Sequence, residues 1–524
     1  MKKKHIRLLD CTLRDGGHVV SGKFGEDVIR NTIKKLVESQ VDIIELGFLW
    51  GTKCDKDFAR YYNIADVKKF IPKNCGKTKF SLMADFIDLE HLEPCDGTIE
   101  FIRLSFKRWR LDWALKTARI LMDKGYKVFI NPVNNNVYSD EEYIEVLKKV
   151  NDLHPYGFTI VDTFGVMRVK DLSHRYYLVE NNLLSDITIG IHLHENLGLA
   201  YTLAQHIIQI SEPKREIVID ASLLGMGREP GNLCIEQIID YMNEQYETEY
   251  SLEPVYDAID EYIAPIKAIY PWGYAIPYAL SGKYNLHRTY AEYLINKKRL
   301  KTKDILRLLS QVDKKEAESF NEKYIEKLYL DYMNVKYDDS ENLEKLKEKL
   351  LKYRKVFILA PGESLKTEIN RVKSLIDNET CVISVNFTSE SLNIIPQFVF
   401  ITNIKRYDMI KDNVNNSNFI ISSNLIRDIE NAMYVFEYNK LTFFKDLYCD
   451  DSTLMLLNLL DFIGIKHVLI AGFDGRTDGI LKFCDDSLER SQYIPTNTML
   501  IKSILSTRLD GLEKEFITKS EYDV

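Results

Sequence analysis

The chain has 524 residues, of which 45% are apolar and 28% charged, with a formal net charge of −8. That length exceeds what one hydrophobic core usually organises, so two or three domains of an ordinary soluble enzyme are expected. The acidic balance excludes a general nucleic-acid binder, which needs a basic face to displace counterions.

Met1-Lys2-Lys3-Lys4 opens like the basic part of a signal peptide, but Asp10, Arg14 and Asp15 interrupt the apolar core that would have to follow. No apolar run approaches the roughly 20 residues that span a bilayer. The eight cysteines are scattered and never form Cys-x-x-Cys, so neither a zinc knuckle nor a disulfide framework is indicated. A cytoplasmic protein with reduced cysteines and no membrane span is expected.

From Ile6 to Leu223, short β-branched runs alternate with longer amphipathic stretches such as Glu26–Ser39 and Asp112–Lys124. The strand candidates are Ile6–Leu13, Ile43–Phe48, Lys79–Asp85, Phe101–Phe106, Lys127–Pro132, Phe158–Thr163, Thr188–His194 and Ile217–Leu223. Regular β–α alternation implies parallel strands, because parallel pairing needs a crossover. Eight such units predict a closed (β/α)₈ barrel over residues 1–252. From Glu253 the rhythm stops, and residues 253–352 read as a helical extension and connector. Within it, Tyr284 and His287 either approach the barrel mouth or serve ordinary helix packing. Residues 353–524 resume as a Rossmann-like α/β domain with strand candidates Val356–Ala360, Val382–Asn386, Phe398–Thr402, Phe419–Ser422 and His467–Ala471, the last preceded by a helix over Asp451–Ile463. The predicted class is therefore α/β: an N-terminal TIM barrel, a helical extension and a C-terminal Rossmann-like domain.

The polar residues of the first half gather at the C-terminal ends of the strand candidates, the face on which active sites of this fold are built. His192 and His194 are two apart on a strand and face one side, so both imidazoles can address one ion. A structural or surface role for such a pair is equally common. Imidazole with carboxylate suits a first-row divalent metal, and Asp15 is the third ligand on the same face. Arg14-Asp15 taken alone reads as a strand-end salt bridge with a neighbour such as Glu45. A metal beside an arginine is also the equipment that holds an enolate.

Asp10-Cys11-Thr12-Leu13-Arg14-Asp15-Gly16-Gly17-His18, Glu45, His192-Leu193-His194 and Gly225-Met226-Gly227-Arg228-Glu229-Pro230-Gly231-Asn232 together resemble the DRE-TIM metallolyase superfamily. Its members include 4-hydroxy-2-oxovalerate aldolase, 3-hydroxy-3-methylglutaryl-CoA lyase and the isopropylmalate and homocitrate synthases, and His18 points to the aldolase branch. The resemblance implies Asp15, His192 and His194 as ligands of Mn²⁺ or Mg²⁺, with Asn232 as an additional ligand. It implies Arg14 as the enolate-stabilising group, Glu45 as its positioner and His18 as the general base. Asp162, Thr163 and Arg103 are assigned to substrate binding. The implied reaction makes or breaks a carbon–carbon bond through a pyruvate enolate, with a keto acid and an aldehyde as small-molecule partners. A phosphorylated substrate is compatible with a glycine-rich loop after a late barrel strand. Gly16-Gly17 departs from the single glycine and larger residue of degradative aldolases, which leaves the substrate open. An acyl-CoA-dependent Claisen synthase or lyase is the enzymatic alternative, and a non-catalytic scaffold or sensor the other.

In the second half, Phe357–Leu365 reads as strand, glycine turn and helix start, whose backbone amides favour an anion. One glycine is too few for the dinucleotide fingerprint. Pro361–Leu365, Ser384–Phe387 and Ala471–Gly475 resemble the Rossmann-like domains of bacterial surface-glycan proteins, which implies a nucleotide or nucleotide-sugar partner and a place in unusual sugar assembly. A structural α/β appendage is the plain alternative, and a homo-oligomer is compatible with either.

Overall fold

A computed structural model describes residues 5–523, apart from 86, 229, 318, 390–391, 413–417, 430–431, 433, 445–447, 476–482 and 486–497. The basic opening of residues 1–4 and Glu229 of the glycine-rich loop lie outside the described residues.

The strands of the first half are β1 (His5–Asp10), β2 (Ile43–Leu49), β3 (Lys79–Asp85), β4 (Phe101–Phe106), β5 (Lys127–Pro132), β6 (Gly157–Asp162), β7 (Thr188–Leu193) and β8 (Glu216–Ala221). Each pairs in parallel with the next, and β1 pairs with both β2 and β8, so the sheet closes into the expected TIM barrel. Parallel strands with helices outside are covered on both faces, which is why they read as continuous Val/Ile/Leu/Phe runs. The helix Glu26–Glu38 shows the complementary pattern. Its Ile29, Ile33 and Leu36, spaced to form one stripe, are buried in the cluster between strands and helices. A separate cluster of Leu9, Cys11, Ile43, Phe101, Phe129 and Val218 packs together apart from it.

The first strand ends earlier than its apolar pattern suggests. Asp10 turns the chain by accepting hydrogen bonds from the Thr12 amide (3.0 Å) and hydroxyl (2.7 Å), and the Thr12 oxygen in turn accepts from the Leu223 amide at 2.8 Å. The loops after β1 and β8 are thereby stapled together. In β2 a bulge lies between Glu45 and Phe48, beyond which the two-residue strand Arg60–Tyr61 is added.

The chain forms two compact units, Met1–Ala291 with Asp313–Phe320 and Glu292–Val312 with Asn321–Val524. Within the first, segment 313–320 is held by the Tyr290 hydroxyl, which donates to the carbonyls of Glu316 (2.8 Å) and Ser319 (3.0 Å).

The second unit is built on a seven-stranded parallel sheet of β9 (Lys355–Leu359), β10 (Thr380–Val385), β11 (Phe398–Ile401), β12 (Phe419–Ser422), β13 (Tyr434–Phe436), β14 (His467–Ala471) and β15 (Glu513–Phe516), in the order β13-β12-β11-β10-β9-β14-β15. The helix before β14 starts at Ser452 because Asp451 caps the amides of Thr453 and Leu454. The strand order reverses at β9, where open sheets of this kind present a crevice. There the helix-start amide expected to favour an anion is already engaged. The Ser364 amide donates to Asp474 Oδ2 at 2.8 Å, and the Ser364 hydroxyl bonds both Asp474 and Thr518. A Cβ at Gly362 would fall 2.5 Å from the same carboxylate, so the turn is shaped to an internal anion. Among the described residues no helix is long and apolar enough to cross a membrane.

Candidate metal centre

The C-terminal ends of β1 and β7 bring three candidate ligand side chains together. Asp15, His192 and His194 each present a ligand atom, and these atoms all lie within 4.8 Å of one another. The two imidazoles are nearly perpendicular, at 88°, with their Nε2 atoms 3.2 Å apart. His192 Nδ1 donates to Asp220 Oδ2 at 2.9 Å, and His194 Nδ1 donates to the Gly231 carbonyl at 3.3 Å. A carboxylate and a carbonyl can only accept, so each neutral ring carries its proton on Nδ1 and aims a bare Nε2 lone pair at the other. Two lone pairs at that separation repel, and a cation between them removes the conflict. Burial first, then the neighbouring His192 and Arg14, lowers His194 to about 4 despite Asp15, which keeps it in the ligating form.

Asp15 is buried, and burial alone would raise its pKa. Arg14 and the imidazoles outweigh that and hold it well below the usual carboxylate range. Its Oδ1 accepts from Arg14 Nη1 at 2.6 Å and its Oδ2 from Asn232 Nδ2 at 2.7 Å. The Asn232 Oδ1 makes no hydrogen bond and is buried, so an oxygen donor remains beside the cluster. Gly227 permits this approach, since a Cβ there would stand 2.3 Å from Asn232 Nδ2. Nitrogen and oxygen donors with histidines oriented from behind fit a first-row divalent ion.

Beneath the centre runs a buried charge chain. Arg14 Nε donates to Glu45 Oε2 at 2.6 Å, Arg103 Nη1 donates to the same oxygen at 3.3 Å, and Arg103 Nη2 reaches Asp220 Oδ2 at 2.5 Å. Arg103 is 1% exposed and lies outside the pocket lining, so its guanidinium braces Glu45 and Asp220 instead of meeting a ligand. Asp162 also stays out of the lining. Its carboxylate accepts the amides of Val166 (3.0 Å) and Met167 (3.1 Å), pinning the loop after β6, and burial pushes it up to about 7. Thr163 does line the pocket, and its hydroxyl accepts the Asn134 amide at 2.6 Å.

The cavity over the centre measures about 740 Å³, and Arg14, Asp15, His18, His192, His194 and His287 all line it. Tyr284 is not part of that wall. The His18 ring opens to the cavity with Phe48 5.5 Å away. The atoms crowding around it strip its hydration, and Arg14, Arg228 and Arg288 add to the effect. Its pKa falls to about 4 despite Asp15, leaving a neutral imidazole near neutral pH. Asp220, which accepts from His192 and Arg103, is a member of this cluster not identified from the sequence. Its signal was an acid inside the apolar run of β8, as Arg103 is a base inside that of β4.

Residues 102–260 match the family model described as HMGL-like. A 4-hydroxy-2-oxovalerate aldolase of Geobacillus genomosp. 3 is 24% identical over 276 residues, 51% of this chain and 79% of the relative. An oxaloacetate decarboxylase of Mycobacterium tuberculosis is 21% identical over 260 residues, covering 48% of this chain and 74% of the relative. Among solved structures, the N-terminal domain of a candidate aldolase from Bacteroides vulgatus aligns with a TM-score of 0.49 at 24% identity, over 57% of this chain and 99% of that one. The barrel half of the chain is thus similar to DRE-TIM metallolyases, lyases that use a divalent metal, and Asp15, His192 and His194 form a possible metal site in it.

Proposed function

We propose that the barrel is an aldolase that cleaves a 4-hydroxy-2-oxo acid to pyruvate and an aldehyde, or runs the reverse addition, through a pyruvate enolate. The observation that carries this reading is the convergence of Asp15, His192, His194, Arg14 and neutral His18 on one cavity. A divalent ion, Mn²⁺ or Mg²⁺, held by Asp15, His192 and His194 with Asn232 Oδ1 at hand, would supply Lewis acidity and orient a keto acid. Arg14 has Nε and Nη1 committed to Glu45 and Asp15, which leaves Nη2 for the oxygen on which enolate charge develops. His18 takes the proton of the C4 hydroxyl. The C3–C4 electron pair passes to the C2 carbonyl, the aldehyde departs, and a proton returned to C3 completes pyruvate.

The test supplies the protein and Mn²⁺ with pyruvate and a panel of aldehydes and identifies products by mass. His18→Ala is expected to bind Mn²⁺ as the parent does while aldol turnover drops by about 10²–10⁴-fold. Unchanged turnover in that variant would remove His18 from the mechanism.

A further inference from the structure

The cavity carries more positive charge than pyruvate requires. Apart from Arg14 and Asp15, the described lining contains Arg60, Lys107, Arg108, Arg228 and Arg288 against a single carboxylate, Asp85. Arg60 stacks 4.3 Å over Trp50, and Arg108 lies 3.8 Å from Glu142. Of the other three, Lys107 and Arg228 act on His287, and Arg228 and Arg288 act on His18 in the same cavity. Arg228 and Lys107 are the cations that, after burial, depress the pKa of His287 to about 4; Arg288 follows it in the chain; and Lys107 Nζ is 3.3 Å from Ser319 Oγ of the same wall. In the closed strand order β4 faces β8, so the wall ending in Lys107 stands across the mouth from the loop after β8, which carries Arg228 beside the metal centre.

That wall also holds two polar side chains with unmet hydrogen-bonding capacity. Asn131, on β5, is 3% exposed and Asn134 is 8% exposed, both line the cavity, and neither Oδ1 has a hydrogen-bond partner. Buried amide oxygens left without donors are costly, and ligand hydroxyls would satisfy them. A cavity of about 740 Å³ also exceeds what pyruvate with acetaldehyde would fill.

We propose that the aldehyde partner is a hydroxylated aldehyde bearing a phosphate or carboxylate, its hydroxyls on Asn131 and Asn134 and its anionic end at Lys107, Arg228 and Arg288. This rests on the aldolase reading and names the substrate class of that same site. In the addition, pyruvate loses one C3 proton to become the enolate, C3 bonds to the aldehyde carbon, and the carbonyl oxygen takes one proton through His18; the proton lost balances the proton gained, so nothing beyond the two substrates is consumed.

Two measurements test it on the full chain. Calorimetry compares glycerol 3-phosphate, glycerate and glycerol; the charged ligands are expected to bind at least about tenfold tighter than glycerol, with Lys107→Met and Arg228→Gln each erasing most of the difference. Preference for glycerol 3-phosphate assigns a phosphate, and preference for glycerate a carboxylate. Aldol addition then compares glyceraldehyde 3-phosphate and tartronate semialdehyde with glyceraldehyde, expecting the anionic substrates to lead by a similar factor. Equal binding of glycerol, or parental binding in both variants, overturns the assignment. Exchange of pyruvate protons together with preference for neutral aldehydes overturns it while leaving the aldolase reading standing. Absence of that exchange removes both.

Discussion

The proton positions on His192 and His194 are set from behind the rings, by Asp220 and by the Gly231 carbonyl. Asp220→Asn is expected to weaken Mn²⁺ binding by about 10–100-fold, because an amide can offer the Nδ1 proton a poorer acceptor and can also donate, scrambling the tautomer. Titration of the folded variant with Mn²⁺ measures this, and parental affinity would mean that ring orientation comes from packing alone. The cluster of Asp15, His192 and His194 was legible in the sequence because its members stand at or just beyond strand ends, where a polar residue needs a reason. Asp220 and Arg103 were harder to read, since a charged residue within a barrel strand can face either the ligand or another buried charge. Only the three-dimensional chain from Arg14 through Glu45 and Arg103 to Asp220 shows which.

At the scale of elements, the loops after β6 and β8 are held by side-chain oxygens. Asp162 ties down the first of these in a form whose pKa burial has raised to about 7. A carboxyl raised in the folded state stabilises below its unfolded pKa and loses that contribution as pH climbs to the folded value. Barrel stability should therefore decline between about pH 4 and pH 7 through this group. Asp162→Asn should flatten that part of the profile in denaturant unfolding followed at pH 5 and pH 8. An undiminished slope would place the titration elsewhere. All eight barrel strands were readable from their apolar runs, and their ends shifted by only a few residues where Asp10 and similar groups turn the chain. In the second sheet, β13 and β15 were not readable. They are the two edges: β13 is buried and apolar, Tyr-Val-Phe, but only three residues long, and β15 is the polar sequence Glu-Lys-Glu-Phe with alternating exposure, so neither presents an apolar run of the length that marks an inner strand.

Over the whole molecule the halves differ in how much chemistry their sequences announce. The barrel concentrates charge at one end of its strands, and its loops leave donors and acceptors directed into a cavity. In the second unit the corresponding turn at β9 is satisfied internally by Asp474 and Thr518, which is why a glycine turn that reads as an anion cradle gives no ligand on its own. In the proposed chemistry the barrel generates a pyruvate enolate with the help of a divalent ion. Its most direct test is proton exchange from the methyl group of pyruvate in D₂O, followed by NMR with the full chain, with and without Mn²⁺. Exchange is expected to require the metal and to disappear in Asp15→Asn and His192→Ala. Exchange that is absent with Mn²⁺ or Mg²⁺, or that persists in both variants, would contradict this chemistry.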